Sequence, residues 1–250
     1  MAFREISSLQ HPLVKHLGKL RETRSYRYEN RRVVISGLKL IEELAAQFHF
    51  RTLLVENGTS PSFNFKADEI FSVPPQILKK VTGLESPESI AAEIDMPAHS
   101  SLSSVQHLLI LDGVSDPGNL GTLLRTAKAL GWEGAFLTQG STDPFNEKAL
   151  RAAKGATFTL PWRSGSWEEL NTLLKEKKMT LFAAEAKGND VASLKAQPPF
   201  ALALGNEANG LTPSLKEASQ LIAIPMQDRM ESLNVASAGS ILMYVLKSHQ

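Results

Sequence analysis

Residues 221–244 read LIAIPMQDRMESLNVASAGSILMY. The run 221–224 is apolar and closes on Pro225 and Met226, the pattern of a buried strand that stops at its carboxyl end. A polar loop follows, and Ser232 stands where a helix N-cap would. Val235, Ala238, Leu242 and Val245 then recur at helical spacing, while Leu233, Ser237, Ile241 and Tyr244 mark a second face. The helix is therefore expected to be covered on two sides, and the small residues of 236–240 let another backbone approach closely. An ordinary C-terminal core helix has the same periodicity.

Upstream the same rhythm repeats. Apolar strand candidates lie at 107–111, 135–138, 158–160, 180–184 and 200–204, with helical periodicity over 120–130, 145–154 and 167–177. Continuous apolar strands alternating with helices argue for an α/β fold built on a parallel sheet covered on both faces, which places ligand sites at the carboxyl ends of the strands. Nearer the N-terminus, 11–22 carries Leu13, Leu17 and Leu20 at helical spacing, and 33–35 and 52–55 read as strands around a helix at 38–46, in βαβ order. Strands at 69–73 and 89–94 flank a helix at 74–81 opened by Pro74 and Pro75. These make a small α/β domain. The stretch 96–106, MPAHSSLSSVQ, is serine-rich and lacks an apolar period, so the connector is placed at 98–106, between domains at 1–97 and 107–250.

The chain of 250 residues is long enough for two such domains. It has no cysteine, which excludes a disulfide framework and a thiolate metal site and fits a reducing cytoplasm. His11, His16, His49, His99, His107 and His249 never pair at ligand spacing, so no metal is expected. No apolar run approaches the roughly 20 residues of a membrane helix, and the opening MAFREISSLQ lacks a signal-peptide core. The net charge of +1 hides an asymmetry: Arg4, Lys15, Lys19, Arg21, Arg24, Arg27, Arg31 and Arg32 face only Glu5, Glu22 and Glu29 over 4–32. Tyr26 and Tyr28 interleave with those arginines, a mixture that clamps phosphates and stacks on exposed bases. A solvated helix face is the plainer reading of the same charges.

Three loops follow strands directly. The first, 112–125, reads DGVSDPGNLGTLLR; Asp116-Pro117-Gly118-Asn119 has turn chemistry, and the helix after it presents Arg125. It has neither G-x-G-x-x-G spacing nor the lysine of a phosphate loop. The second, 205–211, reads GNEANGL, and its two glycines let the backbone come against a ligand. Glu207 is costly to bury alone and calls for an arginine or backbone N–H groups as partners. The third, 227–234, holds Arg229, Glu231, Ser232 and Asn234; a cap accounts for Ser232 but not for Asn234, a poor helix former. Each loop taken alone also reads as a plain strand-to-helix connection.

Taken together, the loops resemble the three motifs of the SpoU, or TrmH-like, branch of the SPOUT RNA methyltransferases. These are Asn119-x-Gly121-x-x-x-Arg125, then Gly205-x-Glu207-x-x-Gly210-Leu211, then Ile224-Pro225-Met226 followed by Ser232-Leu233-Asn234-Val235, in the family's order. Arg151-Ala152-Ala153-Lys154-Gly155-Ala156 and the short strand ending at Pro161 are similar to its linking segment, so the likeness spans 107–248. The N-terminal part resembles the family's substrate-binding domain, a ribosomal-protein-like α/β fold that binds RNA, through 6–19 and Val33-x-x-x-Gly37 leading into 40–44. One departure is Asp228, where the family commonly has glycine.

The resemblance implies a C-terminal trefoil knot, S-adenosylmethionine as cofactor, homodimers packed through the knot helices, and RNA as partner, without membrane or metal. Cofactor contacts are expected from Gly205, Glu207, Ile224, Met226 and Leu233. The implied reaction is methyl transfer to a ribose 2′-hydroxyl, with large-subunit ribosomal RNA favoured. Arg125 is the expected catalytic centre. A guanidinium with a pKa above about 12 stays protonated, so its expected role is to clamp phosphate and stabilise charge on the ribose oxygen. Asn119 and Asn234 would orient Arg125 and the ribose, Ser232 would bond the sugar, and Glu207 would anchor the second loop. RNA contacts are expected from Lys15, Lys19, Arg21, Arg24, Arg27 and Arg31. A tRNA ribose methyltransferase, a non-catalytic RNA-binding or ribosome-assembly protein that keeps the fold, and a small-molecule enzyme binding a nucleotide at the same strand ends stand as alternatives.

Overall fold

The computed structural model describes residues 3–227 and 232–248, and the chain divides into two units, Met1–Pro97 with Phe145–Glu147, and Ala98–Pro144 with Lys148–Gln250. The first unit contains β1 (Arg4–Glu5), α1 (Pro12–Glu22), α2 (Arg24–Asn30), β2 (Arg32–Ser36), α3 (Leu38–Ala45), β3 (Phe50–Glu56), β4 (Ala67–Val73), α4 (Pro75–Thr82) and β5 (Ile90–Asp95). Its sheet has the order β1-β4-β3-β5-β2; β1, β4 and β3 are parallel, and β5 runs antiparallel to β3 and β2. The βαβ order read over 33–55 is present along the chain, but β5 inserts between β2 and β3, so these two strands do not pair. Pro12 at the first helical position and His11, whose Nδ1 accepts from the Leu13 N–H at 3.2 Å, start α1. Val14, Leu17 and Leu20 share one core with Val73, Ile77, Leu78 and Val81.

The second unit contains β6 (His107–Asp112), α5 (Pro117–Ala129), β7 (Gly134–Thr138), α6 (Glu147–Ala153), α7 (Ala156–Thr159), β8 (Trp162–Gly165), α8 (Trp167–Glu176), β9 (Thr180–Asp190), a 3-10 turn (Val191–Ser193), β10 (Phe200–Gly205), α9 (Pro213–Glu217), β11 (Gln220–Ala223) and α10 (Val235–Ser248). All six strands are parallel, in the order β11-β9-β10-β6-β7-β8. Every residue of β6 and β7 is buried, which is why residues 108–111 and 135–137 are apolar without alternation. From β6 the chain builds outward to β8, then crosses to the other side to lay down β9, β10 and β11. The order therefore reverses between β6 and β10, where diverging loops open a crevice at the carboxyl ends. The last registered pair at that point is Gly205 with Asp112.

Three expectations are corrected. Residues 158–160 are not a strand: Gly155, left-handed at φ 86°, restarts a helical turn as α7, and the strand is β8, after Pro161. A three-residue apolar run has no period with which to tell the two apart. In the segment read as connector, Leu102 and Val105 are 3% exposed and join the core of the second unit, so the C-terminal half of 98–106 is packed chain. The inward stripe of α10 is Ala236, Gly239, Leu242, Met243 and Leu246 rather than Val235, Ala238, Leu242 and Val245, and Ile241 and Tyr244 of the second face are exposed in the single chain. No helix among the described residues is long and apolar enough to cross a membrane.

Candidate active site

Loops one and two leave neighbouring strands side by side, and polar groups at their base lock them together. Asp112, 2% exposed, accepts from Thr138 Oγ1 at 2.9 Å and from the Thr212 N–H at 2.6 Å. Asn206 Nδ2 donates to the Gly113 carbonyl at 2.7 Å, and its Oδ1 accepts from the Ala208 and Asn209 N–H groups. Asn206 and Gly210 exchange both backbone hydrogen bonds at 2.9 Å, folding loop two onto itself. A Cβ on Gly205 would lie 2.4 Å from the Gly210 carbonyl carbon, so the first glycine of the second motif is required by this turn. The glycine of the first motif has a different reason. A Cβ on Gly121 would meet the Ala149 carbonyl oxygen at 2.3 Å, where α5 packs on α6.

Glu207 is the hinge between the loops. Its carboxylate accepts from Ser115 Oγ at 2.8 Å, the Ser115 N–H at 3.0 Å, the Asp116 N–H at 3.2 Å and Asn119 Nδ2 at 2.9 Å. Burial pushes this carboxyl up, but the donors from Asn119 and Ser115 outweigh it and hold it at about 2. Of the two partner types expected, the structure uses backbone N–H groups and polar side chains, and no arginine among the described residues. Asp116 caps α5 by accepting from the Asn119 N–H at 2.8 Å, and the Lys148 ammonium at 2.7 Å holds its carboxyl below the usual range.

The third motif joins through Asn234, whose Nδ2 donates to Asn119 Oδ1 at 3.0 Å. Its Oδ1 accepts from the Ala236 and Ser237 N–H groups at 2.9 and 3.2 Å, so Asn234 is the N-cap of α10. The cap expected at Ser232 is thereby corrected: cap and helix start both lie two residues later, and Ser232 is exposed. Asp228, Arg229 and Glu231 lie outside the described residues.

A cavity of about 450 Å³ opens beside this network. Gly205, Glu207, Ile224, Met226, Ser232, Leu233 and Asn234 line it, against apolar walls from Leu204, Leu211, Ile222 and Leu242. Residues 224–227 and 232–234 lie outside helix and strand, where main-chain N–H and C=O groups meet partners other than a ladder. Asn119 stands behind Glu207 rather than on the wall. Arg125 is not brought here: it is exposed on α5, about 9 Å along the axis from Asn119, and its side chain makes no hydrogen bond or ion pair with any described residue. Asn119 and Asn234 thus orient each other and Glu207, not Arg125 as expected.

In the first unit Lys15, Lys19, Arg24 and Arg31 are exposed. The Lys19 ammonium sits 4.1 Å over the Tyr26 ring and the Arg24 guanidinium 5.4 Å over the Tyr28 ring. Arg21 is paired with Glu22. Arg27 does not belong with them. It is 3% exposed, and its guanidinium donates to the carbonyls of Leu20 and Arg21 at 2.8 and 2.7 Å, which caps α1. Sequence reasoning also passed over Asp112, Ser115, Asp116 and Asn206. The signal available was Asp116 before Pro117, the pair that marks an N-cap and first helical position.

Comparison with known proteins follows the same division of the chain. The SpoU rRNA Methylase family model matches residues 106–244, and that of an MRM3-like substrate binding domain matches 11–92. The 23S rRNA (guanosine(2553)-2'-O)-methyltransferase RlmP of Bacillus subtilis (strain 168) is 33% identical over 248 residues, covering 98% of this chain and 99% of its own. The structure of an AdoMet-bound rRNA methyltransferase from Sinorhizobium meliloti superposes with a TM-score of 0.87 at 27% identity, over 99% of this chain and 98% of that one. A crystal structure of an RNA 2'-O ribose methyltransferase has a TM-score of 0.81 at 30% identity, over 98% of both chains. With the family model matching more than half of its length and a relative similar along nearly all of it, the chain belongs to the SpoU rRNA methylase family.

Proposed function

We propose that this protein transfers a methyl group from S-adenosylmethionine to a ribose 2′-hydroxyl of large-subunit ribosomal RNA. The observation that carries this reading is the chain Glu207–Asn119–Asn234, which ties three separate motifs around one cavity at the switch point of a parallel sheet. The residues present fit the cofactor. The cavity is within the roughly 300–1,000 Å³ usual for small-molecule sites, its walls suit a buried adenine, and irregular backbone at 224–226 and 233 can satisfy the base edge.

When bound, S-adenosylmethionine supplies an activated methyl on a sulfonium. The protein's part is to place a weak nucleophile in line and to stabilise the charge that grows as its proton leaves. Arg125, exposed and without a described partner, clamps the target phosphate and stabilises the developing alkoxide, while a phosphate oxygen or water takes the proton. Ser232 bonds the sugar, Gly205, Ile224, Met226 and Leu233 frame the cofactor, and Glu207 anchors the loops. Because Arg125 does not line this chain's cavity, we take the site to be completed in a homodimer packed on the Ile241 and Tyr244 face of α10, which are 41% and 62% exposed. In this reading α10 is the helix threaded through the knot, supported by Gly239, where a Cβ would lie 2.4 Å from Leu204 and 2.5 Å from Leu123. The domains are taken as 1–97 and 107–250, with the second half of 98–106 packed on the latter, and the first presents Lys15, Lys19, Arg21, Arg24 and Arg31 to RNA. The likeness to a bacterial rRNA methyltransferase supports a cytoplasmic location.

The test is a map of 2′-O-methylation on total RNA from cells with and without the protein, then transfer onto RNA with a 2′-deoxy nucleotide at the site found. One lost mark in large-subunit RNA and no transfer to the deoxy substrate are expected. Persistent methylation of the deoxy substrate would exclude ribose chemistry, and a mark lost only from tRNA would move the substrate there.

A further inference from the structure

β9 does not run evenly along β11. The register passes from Leu221 opposite Ala183 directly to Ile222 opposite Asn189, so residues 184–188 leave the ladder at the carboxyl end of the sheet. Gly188 closes the excursion, since a Cβ there would come within 2.5 Å of the Ile222 nitrogen. The excursion sets Ala184, Glu185 and Ala186 into the cavity wall.

The polar side chains lining the cavity are Glu185, Asn206, Glu207, Ser232 and Asn234. Asn206, Glu207 and Asn234 are spent on holding the loops. Ser232 stands on the third loop. Glu185, its side chain 26% exposed, is held through Oε2 by the Lys216 ammonium, and its Oε1 has no partner among the described residues. That ammonium decides what Oε1 suits. A lone carboxylate draws a cation, but one already paired is charge-compensated, and its remaining lone pairs favour neutral hydroxyl donors. Adenosine offers two adjacent hydroxyls on its ribose, a group that carboxylates bind in other nucleotide sites at strand ends.

We infer that Glu185 is the side-chain acceptor for the 2′- and 3′-hydroxyls of the cofactor's ribose, with Lys216 fixing its carboxylate. The inference rests on the S-adenosylmethionine reading above. It is tested by calorimetry with S-adenosylhomocysteine, 5′-methylthioadenosine and 2′,3′-dideoxy-S-adenosylhomocysteine on the wild type, Glu185→Ala and the isosteric Glu185→Gln, beside thermal unfolding without ligand. Glu185→Ala is expected to bind the first two ligands about tenfold or more weakly, a loss of about 1.4 kcal/mol per tenfold. Glu185→Gln should fall between, and all three proteins should bind the dideoxy compound alike. Loss for S-adenosylhomocysteine without loss for 5′-methylthioadenosine would assign the carboxylate to the amino-acid ammonium and overturn the inference, as would equal loss for the dideoxy compound. Unchanged S-adenosylhomocysteine binding in Glu185→Ala overturns it with the cofactor reading intact; no binding by the wild type removes both.

Discussion

Asn234 Nδ2 donates to Asn119 Oδ1 over 3.0 Å, so the cap of the last helix is bonded to the first turn of a helix 115 residues earlier. Asn119 Nδ2 is held by Glu207, which leaves neither amide free to turn: reversing Asn119 would set nitrogen against nitrogen and oxygen against a carboxylate. The three motifs are therefore one mechanical unit.

Substitution at Asn234 separates the cap from the link. Asn234→Asp keeps the acceptor that caps α10 but has no donor for Asn119, and sets a charge against its oxygen. Unfolding within about 1 kcal/mol of wild type and at least a tenfold loss of methyl transfer are expected. Asn234→Ala loses both functions and should also cost about 1 kcal/mol of stability. Full activity in Asn234→Asp, measured by radiolabelled methyl transfer, would show that the bond is dispensable.

Glu207 sits at about 2 in the folded chain against an ordinary 4.5. A depressed carboxyl contributes stability that is fully present above its unfolded value and is lost as pH falls through its folded value. The difference in unfolding free energy between wild type and Glu207→Gln should therefore be constant near neutrality and shrink as pH drops from about 4.5 through about 2. Denaturant melts at several pH values measure it. A difference independent of pH across that window would mean that the carboxylate charge is not what holds the loops.

Arg27 and Arg24 stand three residues apart in one basic run, yet one is buried under α1 and the other is exposed over an aromatic ring. Arg27→Ala strips donors from two helix-end carbonyls, and about 1–3 kcal/mol of stability should go with them. Lys15→Ala with Arg24→Ala should leave unfolding within about 0.5 kcal/mol of wild type. That pair should instead weaken RNA binding and flatten its salt dependence by up to about one logarithmic unit per removed phosphate contact. Filter binding at several salt concentrations, beside thermal unfolding, distinguishes the two behaviours.

That contrast shows where a sequence stops speaking. The runs at 107–111 and 200–204 announce strands because a sheet covered on both faces asks for apolar residues at every position. Phe158-Thr159-Leu160 also suits a strand, yet it closes a helical turn, because the left-handed Gly155 before it restarts a helix. That Glu207 takes donors is read from the cost of burying a charge, yet the residue is exposed; that its donors are Ser115, Asp116 and Asn119 follows from where β6 and β10 part, a fact of topology rather than of local pattern. Asn234 reads as a misplaced residue until Asn119 is beside it. Arg27 needs the phase of α2 against the core, which seven residues of polar helix do not display.

Arg125 has no structural bond to lose, and this makes its replacement informative. It projects from the exposed side of α5, away from Leu120, Leu123, Leu124 and Ala127, which pack inward. Arg125→Ala is expected to unfold like the wild type and to bind S-adenosylhomocysteine with unchanged affinity, because nothing in the cavity wall is altered. Transfer should fall about a hundredfold to a thousandfold, the usual cost of removing a group that stabilises developing charge. Arg125→Lys should recover little of it, since a single ammonium cannot hold a phosphate through two parallel N–H bonds as a guanidinium does. If Arg125→Ala methylated RNA at near wild-type rate, the charge on the ribose oxygen would have to be met by another group, and the phosphate clamp would be withdrawn. If instead cofactor affinity fell with transfer, Arg125 would contact the cofactor itself across the homodimer, and its role would be binding rather than charge stabilisation.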